Sequence, residues 1–353
     1  PPPKIIGVDK KPEAIDTALF LKAVDEGTTS LEEGVKNSDI IFIATPVGTI
    51  VKIIKKIIPH LKPYSIVTDT GSVKASIVEE VEKFLPPKIY FIGGHPMAGS
   101  EKEGITAASG FLFKNSYYLL TPTSKIDTEV FKRLHSLLTQ IGARVLTIDA
   151  KKHDLTMATI SHLPHLVSAS LVNLAANQID RTENLLQLAA GGFRDMTRTA
   201  NSNPELWLDI VFENDSAILK VLKEFRNELE EITRLIKVKD RIKLFKKLKE
   251  ARRIRQNLPR ILHKDLSQLR ELSIPVEDEP GVISDITLTV GQLGINIEDV
   301  EIIRAPASRS GILGLVILGE ESAQKASRAL RKKGYKAEIK RIYSKEMLEE
   351  LGE

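Results

Sequence analysis

From Lys4 to about Ile148 short apolar runs alternate with amphipathic stretches, and no other feature of this 353-residue chain narrows its fold so far. The runs are Lys4 to Asp9, Ile40 to Ala44, Ser65 to Thr68, Tyr90 to Ile92, Tyr117 to Leu120 and Arg144 to Ile148. Such alternation predicts βαβ units on a largely parallel sheet. After Ala150 the strand-like runs stop, and helical periodicity continues to Glu250, with Asn203-Pro204 supplying a capping asparagine and a first-turn proline. Residues 1–150 are therefore read as an α/β domain and 151–250 as an all-α domain. The charged stretch Ala251 to Ser267, with Pro259 inside it, predicts a linker over 251–268. Beyond it the order is strand (Leu272 to Val276), helix (Pro280 to Leu293), strand (Ile297 to Arg304), strand (Gly311 to Leu318), helix (Ser322 to Lys333) and strand (Lys336 to Arg341). That βαββαβ order predicts a ferredoxin-like α+β unit over 269–343, followed by a tail, 344–353.

Composition removes several classes of function. The absence of cysteine excludes disulfides, thiolate metal sites and a cysteine nucleophile. No apolar run in the sequence approaches the ~20 residues that span a bilayer, and no secretory leader is visible, so a cytoplasmic protein with no membrane role is expected. Net charge is +4, and much of the basic excess lies between Arg234 and Arg255, interleaved with Ile and Leu at helical spacing. Without an aromatic platform this predicts the solvated face of a long helix and no nucleic-acid partner.

A dinucleotide-binding, Rossmann-type sheet opens with a strand, a glycine-rich turn and a helix. Here the expected first strand and turn are missing, which suggests N-terminal truncation, and Lys4 to Asp9 looks like the second strand. Asp9 at its end is placed to accept hydrogen bonds from the adenosine ribose, which favours NAD over NADP, although Lys10 and Lys11 leave room for a phosphate. Asp9 is alternatively a turn or helix cap. Thr45-Pro46 and Gly71-Ser72 follow the next two strands at their carboxyl ends, the edge where such sheets bind ligands.

The chemistry-bearing residues fall in three places. His95, in Gly93-Gly94-His95-Pro96, emerges at that same edge, between glycines that would let another molecule approach the backbone. On helical spacing Asp154, Ala158, Ser161 and His165 share one stripe of an otherwise apolar helix, either as a polar pocket or as satisfied core groups. His162 with His165 offers a two-ligand chelate, but no set of three or four ligands accompanies them, so no metal is expected. Finally Arg198, in Gly191-Gly192-Phe193-Arg194-Asp195-Met196-Thr197-Arg198, is a candidate carboxylate clamp, or a surface ion pair, and Trp207 a pocket wall or a core residue.

Four ordered blocks, residues 68–74 (TDTGSVK), 93–101 (GGHPMAGSE), 161–165 (SHLPH) and 191–198 (GGFRDMTR), resemble those of the prephenate dehydrogenase family. The resemblance implies an NAD-dependent oxidative decarboxylation giving 4-hydroxyphenylpyruvate, and a homodimer packed through its helical domains. It implies that His95 is catalytic with Ser72 as its hydrogen-bonding partner. Arg198 would clamp the substrate, while His165, Ser161, Ser100 and Trp207 line its pocket. Glu101, Asp154 and Asp195 would form an ionic network with the arginine. A neutral imidazole is needed, so kcat/KM is expected to fall below a pKa near ~6.5. The C-terminal unit resembles an ACT domain through residues 276–281 (VEDEPG) and 294–297 (GINI), with Asp278, Gly281 and Asn296 as effector positions and tyrosine as the expected inhibitor. Arogenate dehydrogenase, and a non-catalytic amino-acid sensor, remain as alternatives.

Overall fold

A computed structural model describes residues 4–99, 104–177, 189–257, 269–277, 279–304 and 310–341. The chain forms two compact units, Pro1–Lys237 and Val238–Glu353.

In the first unit the expected runs all become strands: β1 (Ile6–Val8), β3 (Ile40–Ile43), β4 (Ile66–Asp69), β5 (Tyr90–Pro96), β6 (Tyr117–Thr121) and β7 (Arg144–Thr147). One short strand, β2 (Glu26–Thr28), has too few apolar residues to show in the sequence, and it pairs with β1 in a parallel two-stranded sheet. The remaining five lie in the order β3-β4-β5-β6-β7. The β3–β4 and β4–β5 pairs are parallel, whereas β5 and β6 run antiparallel. A parallel return needs a crossover, usually a helix. Among the described residues between β5 and β6 there is only a 3₁₀ turn, Ile105–Ala107.

Helices α1 (Pro12–Phe20), α2 (Leu31–Val35), α3 (Val47–Ile57), α4 (Ala75–Glu82) and α5 (Thr128–Gln140) connect the strands. In α3 the apolar side chains Ile50, Ile54 and Ile57 repeat at helical spacing, and all are sealed against Val67, Ile77, Val81 and Phe91. The helical part of this unit comprises α6 (Ala150–Met157), α7 (Leu163–Ala176), α8 (Gly191–Thr197), α9 (Pro204–Glu213) and α10 (Asp215–Lys237). Asn203 caps α9 through its side chain, accepting from the Glu205 and Leu206 N–H groups. Helix α9 packs on the α/β part: Ile210 joins the α3 core and Trp207 lies against it.

Between α6 and α7 the backbone makes a π turn, Ala158–His162. Pro164 has no N–H to offer the carbonyl one turn back, a standard reason for a helix to widen locally. Together these segments form one 27-residue helix, Ala150–Ala176, whose most apolar 18-residue stretch has mean hydropathy 1.2. By length and composition it passes as long and apolar enough to cross a bilayer, yet Lys151, Lys152, His153, Asp154, His162 and His165 interrupt it, so it holds no continuous apolar run of the expected ~20 residues. Its polar residues His153, Asp154, His162, His165 and Ser168 are buried within this unit.

In the second unit α11 (Arg241–Asn257) continues past residue 251, so the expected linker is helical for its first seven residues; 258–268 and the tail lie outside the described residues. The positively charged segment is thus split between the end of α10 and α11, with Lys239 in the left-handed region (φ 54°) at the break. The ferredoxin-like order holds: β8 (Leu269–Glu277), α12 (Val282–Gly291), β9 (Asp299–Arg304), β10 (Ser310–Leu318), α13 (Glu320–Lys332) and β11 (Glu338–Arg341). The strands form an antiparallel sheet in the order β11-β8-β10-β9. Leu272, Ile274, Leu313, Leu315 and Ile317 on the sheet pack against Ile286, Val290, Ala326 and Leu330 on the helices.

Candidate active site

The parallel strands β3, β4 and β5 reach one edge, where Thr45-Pro46 and Gly71-Ser72 follow β3 and β4 and His95 sits in the last residues of β5. What fixes this edge is a buried ion pair. The Lys74 ammonium, fully sealed, meets the Asp69 carboxylate and also donates to the Gly94 carbonyl at 2.8 Å. Asp69 in turn accepts from the Gly71 N–H (2.9 Å) and the Gly94 N–H (3.1 Å). Burial lowers the Lys74 pKa, and the facing Asp69 opposes that shift. Gly94 is required by the protein's own atoms: a Cβ there would come within 2.5 Å of the Asp69 carbonyl oxygen and 3.0 Å of Tyr118. The glycines beside His95 therefore serve close strand packing rather than ligand approach.

His95 is half-buried at the end of β5. Its Nδ1 lies 2.9 Å from Nε2 of His153, and Nδ1 of His153 lies 2.7 Å from Oδ1 of Asp154. A carboxylate only accepts, so His153 carries its proton on Nδ1. With His153 neutral, its Nε2 accepts from His95 Nδ1–H, and His95 Nε2 is left with a lone pair. Among the described residues that nitrogen has no hydrogen-bond partner. Burial first, then repulsion from His153, Lys74 and His162, lowers the His95 pKa to about 2. The imidazole is therefore neutral at any ordinary pH.

Asp154 is held by α4: the Lys74 and Ala75 N–H groups donate to its two oxygens, each at 2.8 Å. Both oxygens are engaged there and on His153, and the contacts of Asp154 among the described residues do not include Arg198. Ser72, expected to be the partner of His95, makes no hydrogen bond among the described residues; His153 occupies that role. Sequence reasoning passed over His153 because on a straight helix it falls one position off the stripe of Asp154 and Ser161.

The π turn adds one residue between the two halves of that stripe. His162 thereby takes the inward position expected for Ser161, which is only half-buried. Asn214, just before α10, donates from Nδ2 to the Asp154 carbonyl (2.9 Å) and to His162 Nδ1 (3.1 Å). Burial lowers His162 to about 4, against the opposing pull of Asp154. His165 stacks on Trp207 with ring centroids 3.5 Å apart and planes 6° from parallel, and burial lowers its pKa too. His162 meets the same indole edge-on at 5.9 Å. Trp207 thus lies against the α3 core while its ring stacks on His165.

Arg198 begins a 3₁₀ turn, Arg198–Asn201, and is exposed; the Ala200 N–H donates to Ser168 Oγ on α7 at 3.1 Å, three residues beyond His165. Asp195 is exposed on α8. Ser100 and Glu101 lie outside the described residues. Asp9 ends β1 exposed, with Oδ1 accepting from the Lys11 N–H at 2.8 Å, which is the turn role, and Oδ2 unused. Thr45 accepts from the Thr49 hydroxyl at 2.9 Å, beside Pro46 at the start of α3. The Asp209 carboxylate from α9 accepts from the Gly48 N–H at 3.2 Å in that helix's first turn, a link no local sequence signal announces. In the second unit Gly281 caps α12 in the left-handed region (φ 94°), and exposed Asn296 donates to Glu298 at 2.8 Å; Asp278 lies outside the described residues.

A nucleotide-binding sheet, an unpartnered imidazole nitrogen at its carboxyl edge and a helical layer packed over that edge define a dinucleotide-dependent dehydrogenase of small molecules. Two family models match the chain, the nucleotide-binding domain of prephenate dehydrogenase over residues 1–147 and its dimerization domain over 149–250. The prephenate dehydrogenase of Bacillus subtilis is 36% identical over 335 residues, 94% of this chain and 89% of that protein. Among solved structures, Aquifex aeolicus prephenate dehydrogenase in complex with hydroxyphenyl propionate and NAD+ superposes with a TM-score of 0.68 at 34% identity, covering 72% of this chain and 89% of that one. Synechocystis arogenate dehydrogenase gives 0.64 at 36% identity, covering 71% and 90%. This chain belongs to the prephenate dehydrogenase family.

Proposed function

We propose that this protein is an NAD-dependent dehydrogenase that converts prephenate to 4-hydroxyphenylpyruvate and CO2. The observation that carries the assignment is His95: a neutral imidazole with Nε2 free at the nucleotide edge, its other nitrogen already engaged. The spare Oδ2 of Asp9 fits a ribose hydroxyl, and Thr45, Pro46, Gly71 and Ser72 border the space for the nicotinamide end. When bound, NAD supplies the hydride acceptor. As hydride leaves C4 of the substrate, positive character grows on its hydroxyl, and His95 Nε2 accepts that hydrogen bond. Such a base is worth roughly 10²–10⁴-fold. Arg198 holds a substrate carboxylate, with Asp195 from its own motif and Ser100 and Glu101 from the motif around His95. The His165–Trp207 stack gives the ring a flat wall, with Ser161 beside it. An absorbance assay for NADH, with prephenate and with arogenate, tests this directly. Turnover of prephenate that His95→Asn abolishes, with NAD affinity retained, is the expected result; unchanged turnover in that variant refutes it, and a preference for arogenate reassigns the substrate.

The ferredoxin-like unit is proposed to be an ACT-type regulatory domain that binds tyrosine near Asp278, Gly281 and Asn296. The left-handed Gly281 supports this, because it exposes backbone N–H groups at the start of α12. Inhibition of turnover by tyrosine, lost in Asn296→Ala, is expected. A cytoplasmic homodimer is also proposed, since Leu208, Phe212 and Leu219 leave apolar surface exposed on the helical part of the unit. Light scattering at micromolar concentration checks it.

A further inference from the structure

We propose that His153 and Asp154 are positioning residues that fix His95 in the tautomer with its proton on Nδ1, and that His153 takes up positive charge when His95 accepts the substrate proton. The inference rests on His95 being the base, as assigned above.

Proton bookkeeping shows why a second imidazole has work to do. In the overall reaction the hydride leaves C4 with its electron pair, the ring carboxylate departs as CO2, and the electron pair of its bond restores aromaticity. The C4 oxygen carries one proton at the start, as an alcohol, and one at the end, as a phenol. Any proton that His95 accepts must therefore be stored and then returned. A lone, desolvated imidazole is a poor store, because burial and the neighbouring Lys74 both oppose its charging. The His95–His153–Asp154 chain offers a way out. As Nε2 of His95 takes the proton, Nδ1 can release its own across the 2.9 Å contact to His153 Nε2. The charge then sits 2.7 Å from the Asp154 carboxylate. When the phenolate oxygen forms, both protons step back, and no proton is gained or lost by the enzyme.

The anchoring of Asp154 fits this task. Two backbone N–H groups at the start of α4 and the donor to its oxygen from His153 leave the carboxylate no freedom to turn away. The charged and titratable groups facing His95 are His153 and Asp154 on α6, Lys74 before α4, Asp69 at the end of β4, and His162 on the π turn. Of these only His153 is in hydrogen-bond contact with the ring.

His153→Phe removes the acceptor, and His153→Gln restores an oxygen that holds Nδ1–H but cannot take a proton. A misplaced tautomer costs up to ~10⁴-fold in the serine protease triad. Here kcat in His153→Phe is expected to fall at least ~100-fold, with KM for prephenate and the Kd for NAD within about twofold, and His153→Gln should recover part of the loss. Removing the second imidazole also removes its repulsion, so the acid limb of kcat/KM should move to higher pH in His153→Gln. In the wild-type enzyme, ¹⁵N spectra of its seven histidines, with His95 assigned from His95→Asn, should show Nδ1 protonated and Nε2 bare. Wild-type kcat in His153→Phe, or a proton on His95 Nε2, overturns the proposal, and the spectrum decides even if the variants fail to fold. Full activity in His95→Asn would instead overturn the underlying assignment of the base.

Discussion

Replacing the fully buried Lys74 by methionine should strongly destabilise the first unit. The methionine fills nearly the same space, so the cost is electrostatic. It leaves the Asp69 carboxylate, 0% exposed, with only the Gly71 and Gly94 N–H groups and no countercharge, and it strips the Gly94 carbonyl of its donor. Breaking a buried pair from one side costs about 3–5 kcal/mol. At roughly 2–4 °C per kcal/mol for a unit of this size, the midpoint should fall by about 6–20 °C. The protein contains one tryptophan, Trp207, which lies in this unit, so its fluorescence follows the unfolding of Pro1–Lys237 alone. The double variant Asp69→Asn/Lys74→Met should recover more than half of the loss, since no charge is then left unpaired. Asp69→Asn alone should cost less as pH rises, because burial has already lowered the Lys74 pKa and the stranded ammonium can shed its proton. A midpoint in Lys74→Met within about 1 °C of wild type would refute the idea that this pair organises the carboxyl edge.

Other consequences follow from the same geometry. With His95 held near 2, kcat/KM for prephenate should stay level from pH 8 down to about 5, and a limb at the ordinary histidine value of ~6.5 would contradict the burial of that ring. His162 is neutral in the fold, with a pKa lowered from 6.5 to about 4, while the unfolded chain takes up a proton below ~6.5. Its contribution is therefore complete above ~6.5 and lost as pH falls towards 4, about 3 kcal/mol in all at ~1.4 kcal/mol per tenfold in proton affinity, and His162→Phe should flatten the acid side of the stability curve measured by urea unfolding. Arg198→Ala should raise KM for prephenate at least ~10-fold with the Kd for NAD unchanged; a normal KM removes Arg198 from the pocket. Asn214→Ala strands the Asp154 carbonyl and His162 Nδ1 and should cost about 1–3 kcal/mol in the same unfolding assay.

The sequence by itself determined the order of strands and helices, because alternation of apolar runs with amphipathic stretches is a local property that the backbone periods of 2 and 3.6 translate directly. It also determined that His95, Gly71-Ser72 and Thr45-Pro46 leave strands at one edge, and that the last unit follows a βαββαβ plan. What only the tertiary structure decided depends on groups distant along the chain. β6 turns antiparallel to β5, and Gly94, just before His95, makes room for Asp69 and Tyr118. A π turn, set by the proline beyond it, rotates His162 inward in place of Ser161. Asp154 and His153 reach back some 60–80 residues to Lys74, Ala75 and His95, and that contact, with the burial around it, lowers the pKa of the His95 ring. Desolvation and through-space charge have no local signature, so no pattern of neighbouring residues could have announced them.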